Sequence, residues 1–229
     1  MNRLGDVLLF MGPPGAGKGS LAALCAHELG WKQLSTGNLC RKHISEGTPL
    51  GKQIDFAIKS GKLISDELIT DMVIGWLSRK ITQTTVILDG FPRTVGQAEG
   101  LLALLRSYEG QGHLKVVRLS IENERVIERI VGRAVCSNKD CQSVYSLLQG
   151  SALAPRKAMV CDLCEHTLIR RSDDTVETIR ERLSIYYSHE QNLLDFFKEK
   201  DQEVLEINVE RPLKDVFTEL KNRFIEKTV

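Results

Sequence analysis

Val7-Leu8-Leu9-Phe10-Met11 is an unbroken apolar run that ends at glycine. That pattern predicts a strand buried on both faces of a parallel sheet. Polar-apolar periodicity over Ser20 to Leu29 predicts a helix, closed by Gly30. Trp31 to Leu34 reads as a short second strand. From Thr36 to Ile64 the pattern is helical but broken by Gly47, Pro49, Gly51 and Gly61, as in a small helical insertion. Ser65-Asp66-Glu67 opens the next helix with capping chemistry. Val86-Ile87-Leu88 predicts another buried strand, closed by Asp89-Gly90, and a helix follows to about Ser107. Val116 to Leu119 is a fourth strand and Glu122 to Gly132 a helix. Ala134 to about Arg171 loses helical periodicity. Ser172-Asp173-Asp174 looks like an N-cap for a long helix over Thr175 to Lys200. Val204 to Ile207 gives a fifth strand, and a last helix begins near Pro212. Strands alternating with helices predict an α/β fold with a doubly wound, five-stranded parallel sheet.

Composition narrows the class. The 229 residues are 42% hydrophobic and 27% charged, with a formal net charge of +1. This suits a soluble globular protein and offers no global field for nucleic acid or an anionic membrane. The first apolar run is too short for a membrane span and leads into a glycine loop, so it reads as the first strand of a cytoplasmic protein. Six cysteines are few for a secreted disulfide scaffold of this length.

The first strong chemical signal is Gly12-Pro13-Pro14-Gly15-Ala16-Gly17-Lys18 between a strand and a helix. It fits the opening positions of a Walker A loop. Glycines let backbone N–H groups turn toward phosphate, the following helix adds its positive end, and Lys18 supplies a mobile charge for the β- and γ-phosphates. The position after the lysine is Gly19, and the hydroxyl comes one later, at Ser20.

A second signal lies in the non-helical stretch. Cys136-x4-Cys141 and Cys161-x2-Cys164 are two pairs separated by nineteen intervening residues. Paired thiolates at such spacing suit a tetrahedral metal site. Zn²⁺ is the first choice and iron is compatible. The role is structural, because so small a segment has little core of its own.

The loop GPPGAGKGS resembles the nucleoside monophosphate kinase form. Taken with Ser35-Thr36-Gly37-Asn38-Leu39-Cys40-Arg41, Gly61 to Glu67, Asp89-Gly90-Phe91-Pro92-Arg93-Thr94 with Gln97, and Arg129 to Arg133, it resembles adenylate kinase along the whole chain, in the long form with a metal-bearing lid. The resemblance implies ATP + AMP = 2 ADP, with Mg²⁺ held largely through phosphates and water. ATP would meet Gly15, Ala16, Gly17, Lys18, Gly19, Ser20, Arg129, Arg133, Val144 and Tyr145. AMP would meet Thr36, Arg41, Lys62, Leu63, Ile64, Gly90, Phe91, Pro92, Arg93, Gln97, Arg171 and Arg182. Lys18, Arg93, Arg133, Arg171, Arg182 and Asp89 would act on the transferring group, Asp89 by orienting Mg²⁺-bound water, and Asp173 and Asp174 would hold the lid arginines on closure as well as cap the helix. Guanidinium forks suit a dianionic phosphate, and a glutamine amide suits an adenine edge. The resemblance also implies a monomer and a core of 1-34, 65-133 and 172-229, with an AMP-binding insertion at 35-64 and a lid at 134-171. A kinase for UMP, CMP or another monophosphate is the nearest alternative. The chain departs from the family pattern at Asn38, where Asp is usual, and at Val209, near a usual glycine.

Overall fold

The computed structural model describes residues 5–59, 64–78, 84–107 and 114–225. Five parallel strands form the central sheet: β1 (Val7–Met11), β2 (Lys32–Ser35), β3 (Val86–Asp89), β4 (Leu114–Ser120) and, after a small antiparallel sheet described below, β8 (Val204–Asn208). Their spatial order is β2-β3-β1-β4-β8. The chain therefore runs outward from β1 in both directions, and the crevice beside β1 is the topological switch point where such sheets bind ligands.

β1 shows how pattern becomes packing. All five of its residues are buried. Val7, Leu9 and Met11 face one apolar cluster, and Leu8 and Phe10 face the other. Alternation with a period of two sends neighbours to opposite faces, so a continuous apolar run is needed when helices cover both. α1 (Lys18–Leu29), α6 (Asn123–Val131) and α8 (Leu213–Ile225) supply residues to the Leu8/Phe10 side. α4 (Asp66–Leu77) and α5 (Val95–Ser107) supply the Val7/Leu9 side. The long α7 (Val176–Glu199) contributes Ile179 and Leu183 to one side and Leu193 and Phe197 to the other.

Between β2 and α4 lie α2 (Thr36–Ser45) and α3 (Pro49–Lys59), the helices expected there. Between α6 and α7 the chain forms a three-stranded antiparallel sheet, β6 (Val144–Ser146), β5 (Arg133–Cys136) and β7 (Leu168–Ile169), in the order β6-β5-β7. No helix among the described residues is long and apolar enough to cross a membrane.

Several boundaries differ from expectation. β2 is displaced by one residue, because Trp31 turns aside to pack edge-on against Phe224, ring centroids 6.1 Å apart. α1 starts at Lys18, since the Gly17 carbonyl already accepts from Leu21 N at 2.9 Å. The expected cap at Ser172-Asp173-Asp174 is not used. Thr175 caps α7, its hydroxyl accepting from Thr178 N at 3.2 Å. The two aspartates are drawn away to arginines instead.

Candidate active site

The phosphate loop follows β1 at the switch point. Gly15 and Gly17 have φ of +84° and +88°, which turns the backbone in a way side chains resist. A Cβ on Gly15 would also sit 2.8 Å from Ile130 Cγ1. Lys18 folds back along the loop, its Nζ donating to Gly12 O at 2.6 Å and Pro13 O at 2.9 Å. Burial holds its pKa down to about 8; Asp89 opposes this, while Arg93, Arg182 and Arg133 add to it. Arg129, on α6, reaches the same end of the loop. Its Nη2 donates to Val209 O at 2.6 Å, and its Nη1 lies 4.0 Å from a Cβ placed on Gly17.

Asp89 ends β3 in register with Phe10 of β1 and Ser35 of β2. Its carboxylate approaches the first turn of α1, with Oδ2 3.4 Å from a Cβ placed on Gly19. Parallel register thus brings the phosphate loop, Asp89 and the start of α2 to one level of the sheet. Thr36, buried there, donates its hydroxyl to Gly90 O at 3.0 Å. Gly90 has φ of +84°, and a Cβ on it would strike Thr36 Oγ1 at 2.8 Å. Phe91 and Pro92 are buried and joined by a cis peptide. Arg93 remains exposed, its Nε donating to Gly90 O at 2.9 Å. Gln97 is buried, and its Oε1 accepts from Arg93 N at 2.8 Å. Arg41, on α2, donates to Asn38 Oδ1 and, at 3.4 Å, to Gln142 Oε1. Ile64 is half-buried just before α4, whereas Lys62 and Leu63 lie outside the described residues.

Arg133, Arg171 and Arg182 meet across the top of this crevice. Arg133 forms a two-pronged contact with Asp174, Nε donating to Oδ2 at 2.8 Å and Nη2 to Oδ1. Arg182 Nη1 donates to Asp173 Oδ2 at 3.2 Å. Burial lowers the Arg171 pKa to about 10; neighbouring Arg133 and Arg41 push the same way, and Asp174 and Asp173 oppose them. Cations crowded together and only partly compensated form a site built for anions.

Comparison with known proteins gives the family. A family model described as adenylate kinase matches residues 10–202. The adenylate kinase of Clostridium tetani is 35% identical over 215 residues, covering 94% of this chain and 96% of that protein. The adenylate kinase of Symbiobacterium thermophilum is 36% identical over 214 residues, 93% of this chain and 96% of the relative. That of Streptomyces griseus is 38% identical over 191 residues, 83% of this chain and 85% of the relative. The chain belongs to the adenylate kinase family. It is therefore a nucleoside monophosphate kinase, a phosphotransferase.

The small antiparallel sheet gives this adenylate kinase a four-cysteine cluster. The sulfurs of Cys136, Cys141, Cys161 and Cys164 all lie within 4.8 Å of one another, and no disulfide joins them. A tetrahedral ion with bonds of about 2.3 Å to sulfur sets the sulfurs ~3.8 Å apart, so the donor set fits a metal ion. Burial resists ionisation of Cys161, but hydrogen bonds from the Tyr145 hydroxyl and from the Leu163 and Cys164 N–H groups outweigh it and bring the thiol down to about 6. His166 stands outside the cluster, exposed, with Nδ1 2.8 Å from Cys164 O.

Tyr145 turns its side chain toward the cluster, where it is buried among the cysteines, with its hydroxyl 3.4 Å from Cys161 Sγ and accepting from Asp162 N at 2.7 Å. Alternation along β6 leaves Val144 and Ser146 on the other face. Cys25 packs in the core, while Cys40 is half-buried near Arg93 and Arg41. By sequence Asp66 is a helix-start acid. Ser65 does cap α4, accepting from Leu68 N at 3.3 Å, but Asp66 reaches across to α5 and joins the site. Only its place at a helix start was visible beforehand; the α4–α5 pairing that gives it partners was not.

Proposed function

We propose that the chain catalyses reversible phosphoryl transfer, ATP + AMP = 2 ADP, as a cytoplasmic monomer. The observation that carries this reading is the pairing of two phosphate-binding halves on adjacent strands. The loop after β1 and the Thr36/Arg93/Gln97 group after β2 and β3 face one crevice, with arginines between them. A hydrolase needs the first half; a transferase also needs the second.

Gly15 to Ser20 would hold the ATP phosphates, with Lys18 at the β- and γ-positions. Arg129 would lie along the donor nucleoside, and Val144 with the Tyr145 backbone would border it from the lid. Arg41 and Arg93 would grip the AMP phosphate, while Thr36, Ile64, Gly90, Phe91, Pro92 and Gln97 line the acceptor. The expected Lys62 and Leu63 complete that list in sequence. Mg²⁺, arriving with ATP, would neutralise charge on the phosphates, and Asp89 is the carboxylate suited to orient its waters. Arg133, Arg171 and Arg182 would spread over the transferring group, where charge stabilisation and alignment outweigh covalent chemistry.

In this reading the chain divides into a core of 1-34, 65-133 and 172-229, an AMP-binding insertion at 35-64 and a lid at 134-171. Lid closure excludes water, the competing acceptor. Contacts from the lid to α2 support it: Arg41 Nε donates to Gln142 Oε1, Lys139 Nζ lies 3.5 Å from Ser45 O, and Lys42 pairs with Asp140 at 3.9 Å. The cysteine cluster would hold a structural Zn²⁺, binding the two knuckles of a lid with a small core.

A coupled assay with Mg-ATP and each monophosphate in turn tests the proposal. ADP formation with AMP favoured over UMP and CMP is the expected result. Preference for a pyrimidine acceptor would overturn the substrate assignment, and ATP turnover without any acceptor would overturn the reaction class.

A further inference from the structure

Among the described residues three polar or charged side chains are buried: Thr36, Gln97 and Glu190. Gln97 has both ends of its amide committed. Its Oε1 accepts from Arg93 N at 2.8 Å, and its Nε2 donates to Asp66 Oδ1 at 2.7 Å. Asp66 is held in turn, its Oδ2 accepting from the Thr94 hydroxyl at 2.5 Å. Thr94 also caps α5, its Oγ1 accepting from Gln97 N at 3.2 Å. The carboxylate at the start of α4 therefore ties down the first turn of α5.

The polarity of these partners leaves no freedom. A backbone N–H only donates, and a carboxylate only accepts. Turning the Gln97 amide over would set N–H against N–H at Arg93 and oxygen against oxygen at Asp66. One orientation survives. It leaves one carbonyl lone pair and one N–H for a ligand, in a fixed order.

That order matters because purines differ in the same two atoms. Adenine presents an exocyclic amine that donates beside a ring nitrogen that accepts. A 6-oxopurine presents an accepting oxygen in place of the amine, and on its Watson–Crick edge a donating N1–H. A glutamine free to turn over could satisfy either. We infer that Asp66 is a specificity-determining residue of the acceptor site, holding Gln97 in the one orientation that matches a 6-aminopurine monophosphate and mismatches a 6-oxopurine one. This rests on the proposed reading of Gln97 as the residue that meets the acceptor base. Asp66 acts through Gln97 and is a positioning residue.

The test is kcat/KM for AMP and for inosine monophosphate at saturating Mg-ATP. Asp66→Ala is expected to lower the AMP-to-IMP ratio about tenfold, through a higher KM for AMP, with the KM for ATP within about twofold of wild type. A ratio within about twofold of wild type in the folded variant overturns the inference. Thr94→Val removes the contact on the other carboxylate oxygen and the cap on Gln97 N but leaves Asp66 facing the Gln97 amide, so the ratio should fall clearly less than in Asp66→Ala; an equal fall there would mean general loosening and also overturns it. Should Asp66→Ala not fold, Asp66→Asn keeps the shape while offering Gln97 an N–H as readily as a C=O. A fall of about threefold or more is then expected, and an unchanged ratio sinks the idea. Gln97→Leu separates the two layers. If it leaves the ratio intact, the reading of Gln97 fails; if it collapses the ratio while Asp66→Ala does not, only the role of Asp66 fails.

Discussion

Raising the pH tests the chemistry of the phosphate loop through Lys18. Burial brings its pKa from 10.5 down to about 8. Half of the free enzyme therefore lacks the ammonium near that pH, and kcat/KM for ATP should fall about tenfold per unit above it. Phosphate against Nζ favours the charged form and lifts the pKa again, so kcat at saturating ATP should stay level to higher pH. Stability moves the other way. The folded pKa lies below the unfolded one, so between about 8 and 10.5 the unfolded chain holds more protons and, through this group, stability rises with pH. Circular dichroism at each pH separates this activity loss from unfolding. Lys18→Arg keeps its charge throughout the range; its activity is lower, but the limb near pH 8 should vanish. A profile flat to about pH 9.5, or the same limb in the arginine variant, would refute the assignment.

Other expectations follow from single contacts. Arg133→Ala should lower turnover on the order of a hundredfold or more, as when a charge clamp on the transferring group is lost; near-normal single-turnover rates would remove Arg133 from the mechanism. Glu190 is buried against Arg118, 2.7 Å away, and accepts from the Tyr186 hydroxyl at 2.7 Å. Glu190→Ala should cost about 2 to 3 kcal/mol in urea unfolding, below the ~3–5 kcal/mol of a fully buried pair because Glu206 stays beside Arg118; a loss under about 1 kcal/mol would contradict that reading. Metal removal with a chelator should lower the melting temperature more than the rate measured well below it; a metal-free preparation with an unchanged melting curve would refute a structural ion.

What could be read in advance depended on how local its cause was. β1 and the glycine loop were legible because burial on both faces demands an apolar run and an inward-turned backbone demands glycine. The cysteine cluster was legible from spacing, since each pair closes its own knuckle. The face to which Tyr145 turns was not legible, because strand alternation sets it and the sulfur it meets, that of Cys161, comes from a segment 16 residues on. Asp66 carries only the signal of a helix-start acid, whereas Asp173 and Asp174 carry two readings, a cap or a hold on the lid arginines, and spacing alone does not choose between them. Each sits where capping chemistry is expected, and each is claimed by a partner that only the tertiary fold supplies. Arg118 and Glu190 carried no signal, because 72 residues separate them.

Asp173 and Asp174 also bear on how the arginine cluster is held together. Lys18 and Arg171 both lose proton affinity, chiefly to burial and further to neighbouring cations, so gathering these groups works against folding. An acid used as a helix cap would stabilise α7 but leave the cluster uncompensated. Given to Arg133 and Arg182 instead, Asp173 and Asp174 offset part of the repulsion and fix where two guanidinium groups stand. Compensation is incomplete: burial is the main cause of the lowered Arg171 pKa, but beside it the pull of Arg133 and Arg41 still outranks the opposing Asp174 and Asp173. The remaining positive potential is what phosphate can relieve. In the proposed reading the arginines are gathered before the nucleotides arrive, and phosphate would relieve the field they create.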